Sequence, residues 1–365
     1  MKKRNQALLT TLCLFTPIYT HAAKSNTVIA TINTSVTPAG LAITPDNHYA
    51  YIANNNNYGI DDQDSVTVIN LKHNTVKTTI HDSSFNQPYT VTINADGTKA
   101  YITNSNSSTI TIIDTDSNTV IGIIGGFDGP SGMVITPDGN YAYVNNYGGP
   151  EGVGSGNATT VRVVNLNSNS IIGQPITVGL APAALAITPD GKYVYVANYV
   201  DGNPGTGTIS IIRTCDNQVI DTINDFSGPF AIAITPNGKY AYVTNFGSNN
   251  FTPIGTTATI VKLSNNTIKK TIDLGIQPAG LAITPDGKYA YVSNYNTLYS
   301  DGQNFTGLTA GQGTVNVIKV EKKELKSITI PVDQSPANIA ISPNGKYAYV
   351  SNYASNTVNV IKLKH

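Results

Sequence analysis

Seven times along the chain a short phrase returns, clearest as Pro278-Ala-Gly-Leu-Ala-Ile-Thr-Pro-Asp-Gly-Lys-Tyr-Ala-Tyr-Val-Ser-Asn294. The copies begin at Pro38, Pro88, Pro130, Pro182, Pro229, Pro278 and Pro336. Their spacing of about 42 to 58 residues lies within or just above the range of propeller blades. A unit of this size cannot bury an apolar face alone, so the repeat demands neighbours stacked around a common core.

The sixth copy shows how one unit folds. Gly280 to Thr284 is an apolar run without in/out alternation, as expected of an inner strand covered on both faces. In Thr284-Pro285-Asp286-Gly287 the proline pre-sets a turn dihedral, Asp caps the turn backbone, and Gly accepts a left-handed conformation. A second strand follows from Lys288 to Asn294, a third from Thr314 to Lys319 and a fourth from Leu325 to Ile330. We denote these strands A to D from the inside outward. The first copy replaces the turn glycine by Asn47, the residue that best tolerates that conformation, and the second replaces the turn proline by Ala95.

The chain ends predict closure. After the last copy only strands A, B and C remain, with C at Thr357 to Leu363, while Thr27 to Asn33 is an orphan strand resembling a strand D. Pairing the two removes two exposed sheet edges. The expected fold is all-β: a seven-bladed propeller of four-stranded antiparallel blades, closed by the N-terminal strand completing the last blade.

Residues 1–23 read as a secretory signal peptide, with Lys2, Lys3 and Arg4, an apolar stretch from Ala7 to Ile18, and Ala22 and Ala23 before cleavage. Residues 24–365 then form a single exported domain, periplasmic or at the cell surface. The apolar stretch is too short to span a bilayer, and no transmembrane segment is expected. Cys13 leaves with the signal, so Cys215 is the one remaining cysteine and no intramolecular disulfide can form. The 22 basic and 22 acidic residues become 19 and 22, a net charge of −3. No basic patch remains to suit a nucleic acid. A monomer is expected.

Strand B ends in Asn in every copy: Asn54, Asn104, Asn146, Asn198, Asn245, Asn294 and Asn352. In five copies an aromatic follows, at Tyr147, Tyr199, Phe246, Tyr295 and Tyr353. The B to C loops carry nearly all the length variation, from about four residues after Asn104 to about nineteen after Asn294. Insertions on one side of a repeat array mark its binding face. The candidate ligand-binding residues are therefore Asn146, Tyr147, Asn198, Tyr199, Asn245, Phe246, Asn294, Tyr295, Asn352 and Tyr353. Rings and amides together suit a glycan, a peptide or a surface protein. The competing reading is structural, with Asn holding the loops and the rings packed beneath them.

Catalytic and metal chemistry find little material. The histidines after the signal are His48, His73, His81 and His365, without ligand spacing, and no covalent haem motif occurs. Acidic Asp61-Asp62-Gln63-Asp64 lacks the order of a calcium loop. Arg162 and Arg213 are the arginines, and Glu151, Glu321 and Glu324 the glutamates. Glu151 and Arg162 on the third copy read as a surface pair, and Gly148 to Gly156 as an insertion rather than a phosphate loop. No catalytic residue, metal or cofactor is assigned.

Lys239-Tyr-Ala-Tyr-Val-Thr-Asn245 contains the Tyr-Val-Thr-Asn phrase, and the repeat resembles the YVTN family of β-propeller repeats over essentially the whole exported chain. That resemblance implies an exported propeller used for interaction or display, like cell-surface and surface-layer-type antigens of archaea and bacteria. A more distant likeness to seven-bladed lactonases, and to the propellers of haem or quinone dehydrogenases, keeps two alternatives beside the binding module. One is a hydrolase or quinone-type oxidoreductase using the same funnel; the other is a purely structural surface protein.

Overall fold

The computed structural model describes residues 26–56, 64–148, 158–199, 205–247, 254–299 and 308–364. The signal segment, Glu151 and most of the glycine-rich insertion, and Asp61 to Gln63 lie outside them. Seven four-stranded antiparallel sheets form the propeller. In blade 1 the strands are Pro38–Ile43, Tyr49–Asn54, Ser65–Asn70 and Thr75–Ile80, hydrogen-bonded in that order from the inside outward. Blade 6 repeats the pattern with Pro278–Ile283, Tyr289–Asn294, Thr314–Lys319 and Glu324–Pro331. Its strand A thus begins two residues before the expected Gly280, because Pro278 already pairs with Asn294. The nineteen-residue insertion is not wholly loop: Thr297–Tyr299 and Leu308–Ala310 pair as a small hairpin.

Closure follows the expected route. Thr27–Asn33 runs antiparallel to Thr357–Lys362 as the outer strand of blade 7, with Thr27 opposite Lys362 and Asn33 opposite Thr357. Blade 7 in turn meets blade 1, where the Ser351 hydroxyl donates to the Ala39 carbonyl at 2.5 Å. The inner strands approach closely enough that a Cβ on Gly40 would lie 2.8 Å from the Thr90 Cα of blade 2.

The Thr-Pro-Asp-Gly turns close strands A and B on one face. In blade 6 the Thr284 hydroxyl donates to Asp286 at 2.6 Å, the Lys288 N–H to the same carboxylate at 3.0 Å, and Gly287 takes φ 69°. Asn47 fills the glycine position of blade 1 at φ 63°. In blade 4 the hydroxyl of Thr188 holds the Asp190 carboxyl below the usual carboxylate range, although burial pulls the other way.

The tyrosine at the third position of each strand B is buried, and in six of the blades its hydroxyl reaches the next blade, that of Tyr242 through the Val320 carbonyl. Tyr51, Tyr143, Tyr195, Tyr291 and Tyr349 donate to the side-chain oxygens of Asn118, Asn217, Asn266, Asn26 and Asn74, at 2.6 to 3.2 Å. These asparagines sit in left-handed backbone, φ 52 to 58°, four of them at C to D turns. Asn26 supplies the same partner in blade 7 from just ahead of the N-terminal strand, so the closing strand also completes the latch. Burial, with Cys215 near Tyr143 and Tyr193 near Tyr195, pushes the phenols of Tyr143 and Tyr195 up to about 12.

Candidate functional site on the B to C loop face

Strand-terminal asparagines are buried in all seven blades, at most 4% exposed. Each turns its amide toward strand C. Asn245 donates to Thr257 and Thr259, both at 2.9 Å, and Asn198 to Thr208 at 3.0 Å and Ser210 at 2.9 Å. Asn294 reaches Thr314 and Asn316, Asn352 reaches Thr357 and Asn359, and Asn146 reaches Thr160 at 2.8 Å. The amide nitrogens fasten the ends of strands B and C where the loop departs. The side-chain oxygens of Asn54, Asn198, Asn245, Asn294 and Asn352 have no hydrogen-bond partner in the structure.

A second device sets the following residue. The residue before each strand-A proline takes left-handed backbone: Thr37, Gln87, Gly129, Ala181, Gly228, Gln277 and Ser335, φ 42 to 57°. Its carbonyl accepts the N–H of the residue after the strand-terminal Asn in every blade, including Tyr147, Tyr199, Phe246, Tyr295 and Tyr353 at 2.8 to 2.9 Å. Left-handed backbone is costly for side-chain residues, on the order of 1–3 kcal/mol each. The sevenfold repetition makes it a scaffold feature that pins the start of every B to C loop.

Pinned this way, the aromatics of blades 4 to 7 meet ring to ring. Tyr199 and Phe246 lie 6.5 Å apart, Phe246 and Tyr295 6.2 Å, and Tyr295 and Tyr353 6.5 Å. Phe230, the second residue of strand A in blade 5, fills the inside of the arc at 5.1 Å from Phe246 and 6.2 Å from Tyr199. These tilted and edge-on geometries are favourable for ring pairs. Tyr199 is 1% exposed and forms the floor, whereas Phe230, Phe246, Tyr295 and Tyr353 are half-buried and keep ring surface open. Tyr147 is also half-buried; burial, with the Tyr147 phenol adding to it, raises the pKa of Tyr89 in blade 2. Blades 1 and 2 place Asn55 and Ser105 at the corresponding position, so the mouth has an aromatic side and a polar side.

Phe230 and Tyr89 were not among the sequence candidates. Their signal is an aromatic in the second strand-A position, where the other blades have Ala39, Ser131, Ala183, Ala279 and Ala337.

Among the described residues no metal-holding group gathers at this mouth: no three His, Cys, Asp or Glu side chains form a group able to hold a metal ion. Asp64 is engaged structurally, accepting the N–H groups of Asn56 and Gln87 at 2.8 Å each. His48 lies in an A to B turn, 2.8 Å from Asp46, and Cys215 is an exposed thiol. Arg162 is half-buried in strand C of blade 3, not a fully exposed surface residue. A cleft of about 580 Å³ between blades 4 and 5 is lined by Pro189, Tyr193, Pro236 and Tyr240 of the opposite face, away from the aromatic arc. No helix among the described residues is long and apolar enough to cross a membrane.

Comparison with known proteins fits this architecture. A family model described as lactonase, 7-bladed beta-propeller, matches residues 11–122 and 205–365. The PE-PGRS family protein PE_PGRS18 of Mycobacterium tuberculosis is 45% identical over 60 residues, 16% of this chain and 13% of that protein. The chain therefore spans about an eighth of the length of the curated relative it matches. Among solved structures, Kuenenia stuttgartiensis hydrazine synthase superposes with a TM-score of 0.73, covering 90% of this chain and 96% of that chain at 22% identity. At that identity the likeness is one of fold.

Proposed function

The chain belongs to the seven-bladed β-propeller lactonase family, and within that family we propose that it is an exported binding propeller that holds a glycan or peptide on its aromatic arc. The observation that carries this reading is the run of contacting rings, Tyr199, Phe246, Tyr295 and Tyr353 with Phe230 inside, standing on loops pinned in every blade. Half-buried rings offer apolar area, and on the polar side the half-buried Ser105 hydroxyl, which donates to the Gln87 carbonyl, can still accept a hydrogen bond. The strand-terminal asparagines hold this surface in place, while the rings meet the ligand. The Tyr-Val-Thr-Asn repeat and the signal-like N-terminus support placing the protein at the cell surface or in the periplasm.

The family match favours a second reading, hydrolysis of a lactone at the same mouth. The two separate in one experiment on the protein spanning residues 24–365. Binding is measured against arrays of oligosaccharides and peptides, and hydrolysis against a panel of lactones. The binding reading expects a retained ligand and no lactone turnover above the uncatalysed rate. Enzyme-dependent lactone opening that vanishes on substitution of mouth residues would overturn it.

A further inference from the structure

The hydrogen-bonding pattern on strand C breaks at one place. In the other six blades, Thr67, Thr111, Ser210, Thr259, Asn316 and Asn359 accept a bond from the strand-terminal Asn. Blade 3 carries Arg162 there, in strand C at Thr160–Asn165, and Asn146 keeps Thr160 alone as its strand-C partner. Arg162 stands between buried Val161 and Val163, its Nε is buried without a hydrogen bond, and no ion pair among the described residues includes it. A half-buried guanidinium brings five donors that want acceptors, and leaving such a charge uncompensated is costly.

Equivalent residues show where this position looks. Thr111 bonds to Ser84 and Ser210 to the Gly179 N–H, each on the connection leading into its own blade. In blade 3 that connection is Gly126-Phe127-Asp128, on the same face as the aromatic arc. Asp128 is exposed, and its N–H donates to the Asn146 oxygen at 3.0 Å.

We propose that Arg162 is an oxyanion-binding position on blade 3, its guanidinium fork taking a carboxylate or phosphate of a ligand. The fork matches two oxygens of either group, and a half-buried position strengthens the pairing relative to water. This inference stands independently of the aromatic arc, since it rests on a guanidinium that has no ion-pair partner among the described residues and whose Nε is buried without a hydrogen bond.

The test uses the protein spanning residues 24–365, melted at constant ionic strength in sodium glucuronate, inorganic phosphate or glucose. Glucuronate, phosphate or both should raise Tm by about 2 °C once the anion is well above its Kd, and glucose should not. The responding anion identifies the source of the oxyanion. Arg162→Thr restores the hydroxyl found at this position in other blades. It should abolish the anion-dependent rise and, without anion, melt at or above the unsubstituted protein. No anion response, a response retained in Arg162→Thr, or a lower Tm for Arg162→Thr without anion each overturns the proposal. Asp128→Asn is the companion variant: a loss of the anion response there would mean that Asp128, not a ligand, governs the behaviour of Arg162, and would also overturn it.

Discussion

Asn245→Ala separates a structural role for the strand-terminal asparagines from a ligand-binding one. The amide donates two bonds of 2.9 Å, to Thr257 and Thr259, inside a site that is 4% exposed. Each such bond contributes about 1 kcal/mol net, and the two hydroxyls lose an amide donor together. The deleted carbonyl has no partner, so its removal returns part of that loss. The expected result is a destabilisation of about 1 to 2 kcal/mol, a fall in Tm of roughly 1.5 to 3 °C, measured by calorimetry and by urea unfolding with an unchanged m-value. Binding by the folded variant should persist, because the ring of Phe246 remains tied through its own N–H to the Gly228 carbonyl. An unchanged Tm together with lost binding would refute this reasoning and make Asn245 a ligand contact.

Other expectations follow from the same geometry. Gly191→Val should cost about 1 to 3 kcal/mol by urea unfolding, because Gly191 sits at φ 72° and a new Cβ would lie 3.0 Å from the Pro137 ring; Gly191→Asn should be milder. Equal stability of the two would refute the turn assignment. Removing residues 24–34 should cost several kcal/mol, since Ile32 packs with Leu41, Ile52 and Tyr349 and Asn26 accepts the Tyr291 hydroxyl; a deletion that left Tm unchanged would contradict ring closure. Alkaline unfolding should also be diagnostic. Tyr143 and Tyr195 have folded pKa values raised to about 12, so their contribution is intact below the unfolded value near 10 and is lost as pH rises toward 12. Phenolate absorbance should therefore lag the model-tyrosine curve until unfolding, and ionisation of every tyrosine near pH 10 in the folded protein would argue against the buried latch. The depressed carboxyl of Asp190 works in the opposite direction. Its contribution is present above the unfolded value and disappears as pH falls through the lower folded value, so Thr188→Ala should weaken stability at pH 6 more than in strong acid.

Much of this architecture was legible because it repeats. Seven copies of Pro-Asp-Gly or its substitutes mark hairpins whose left-handed position is seen at Gly287 and Asn47, and the orphan strand at Thr27 finds its place by subtraction. The latch was less visible, because strand propensity accounts for both tyrosines of Tyr-Ala-Tyr-Val without saying which one crosses to the next blade. Its partners, Asn74, Asn118, Asn217 and Asn266, recur in the C to D turns, yet nothing local pairs them with a tyrosine 67 to 74 residues away, or 275 in the case of Asn74. At the mouth the run of aromatics could be read from the sequence, but the direction of the asparagine amides could not. That depends on hydroxyls at alternate positions of strand C, such as Thr257 and Thr259. Phe230 entered the arc from strand A, a strand whose other members at that position are mostly alanine.

Hydrogen-exchange mapping of the protein spanning residues 24–365, with and without an oligosaccharide or peptide retained from the arrays, tests the binding surface most directly. The account predicts added protection concentrated after strand B in blades 4 to 7, around Tyr199, Phe246, Tyr295 and Tyr353, and about 1 to 2 kcal/mol weaker binding for Tyr295→Ala with an unchanged melting curve. Protection confined to the Thr-Pro-Asp-Gly face, or full affinity in both Tyr295→Ala and Phe246→Ala, would contradict it.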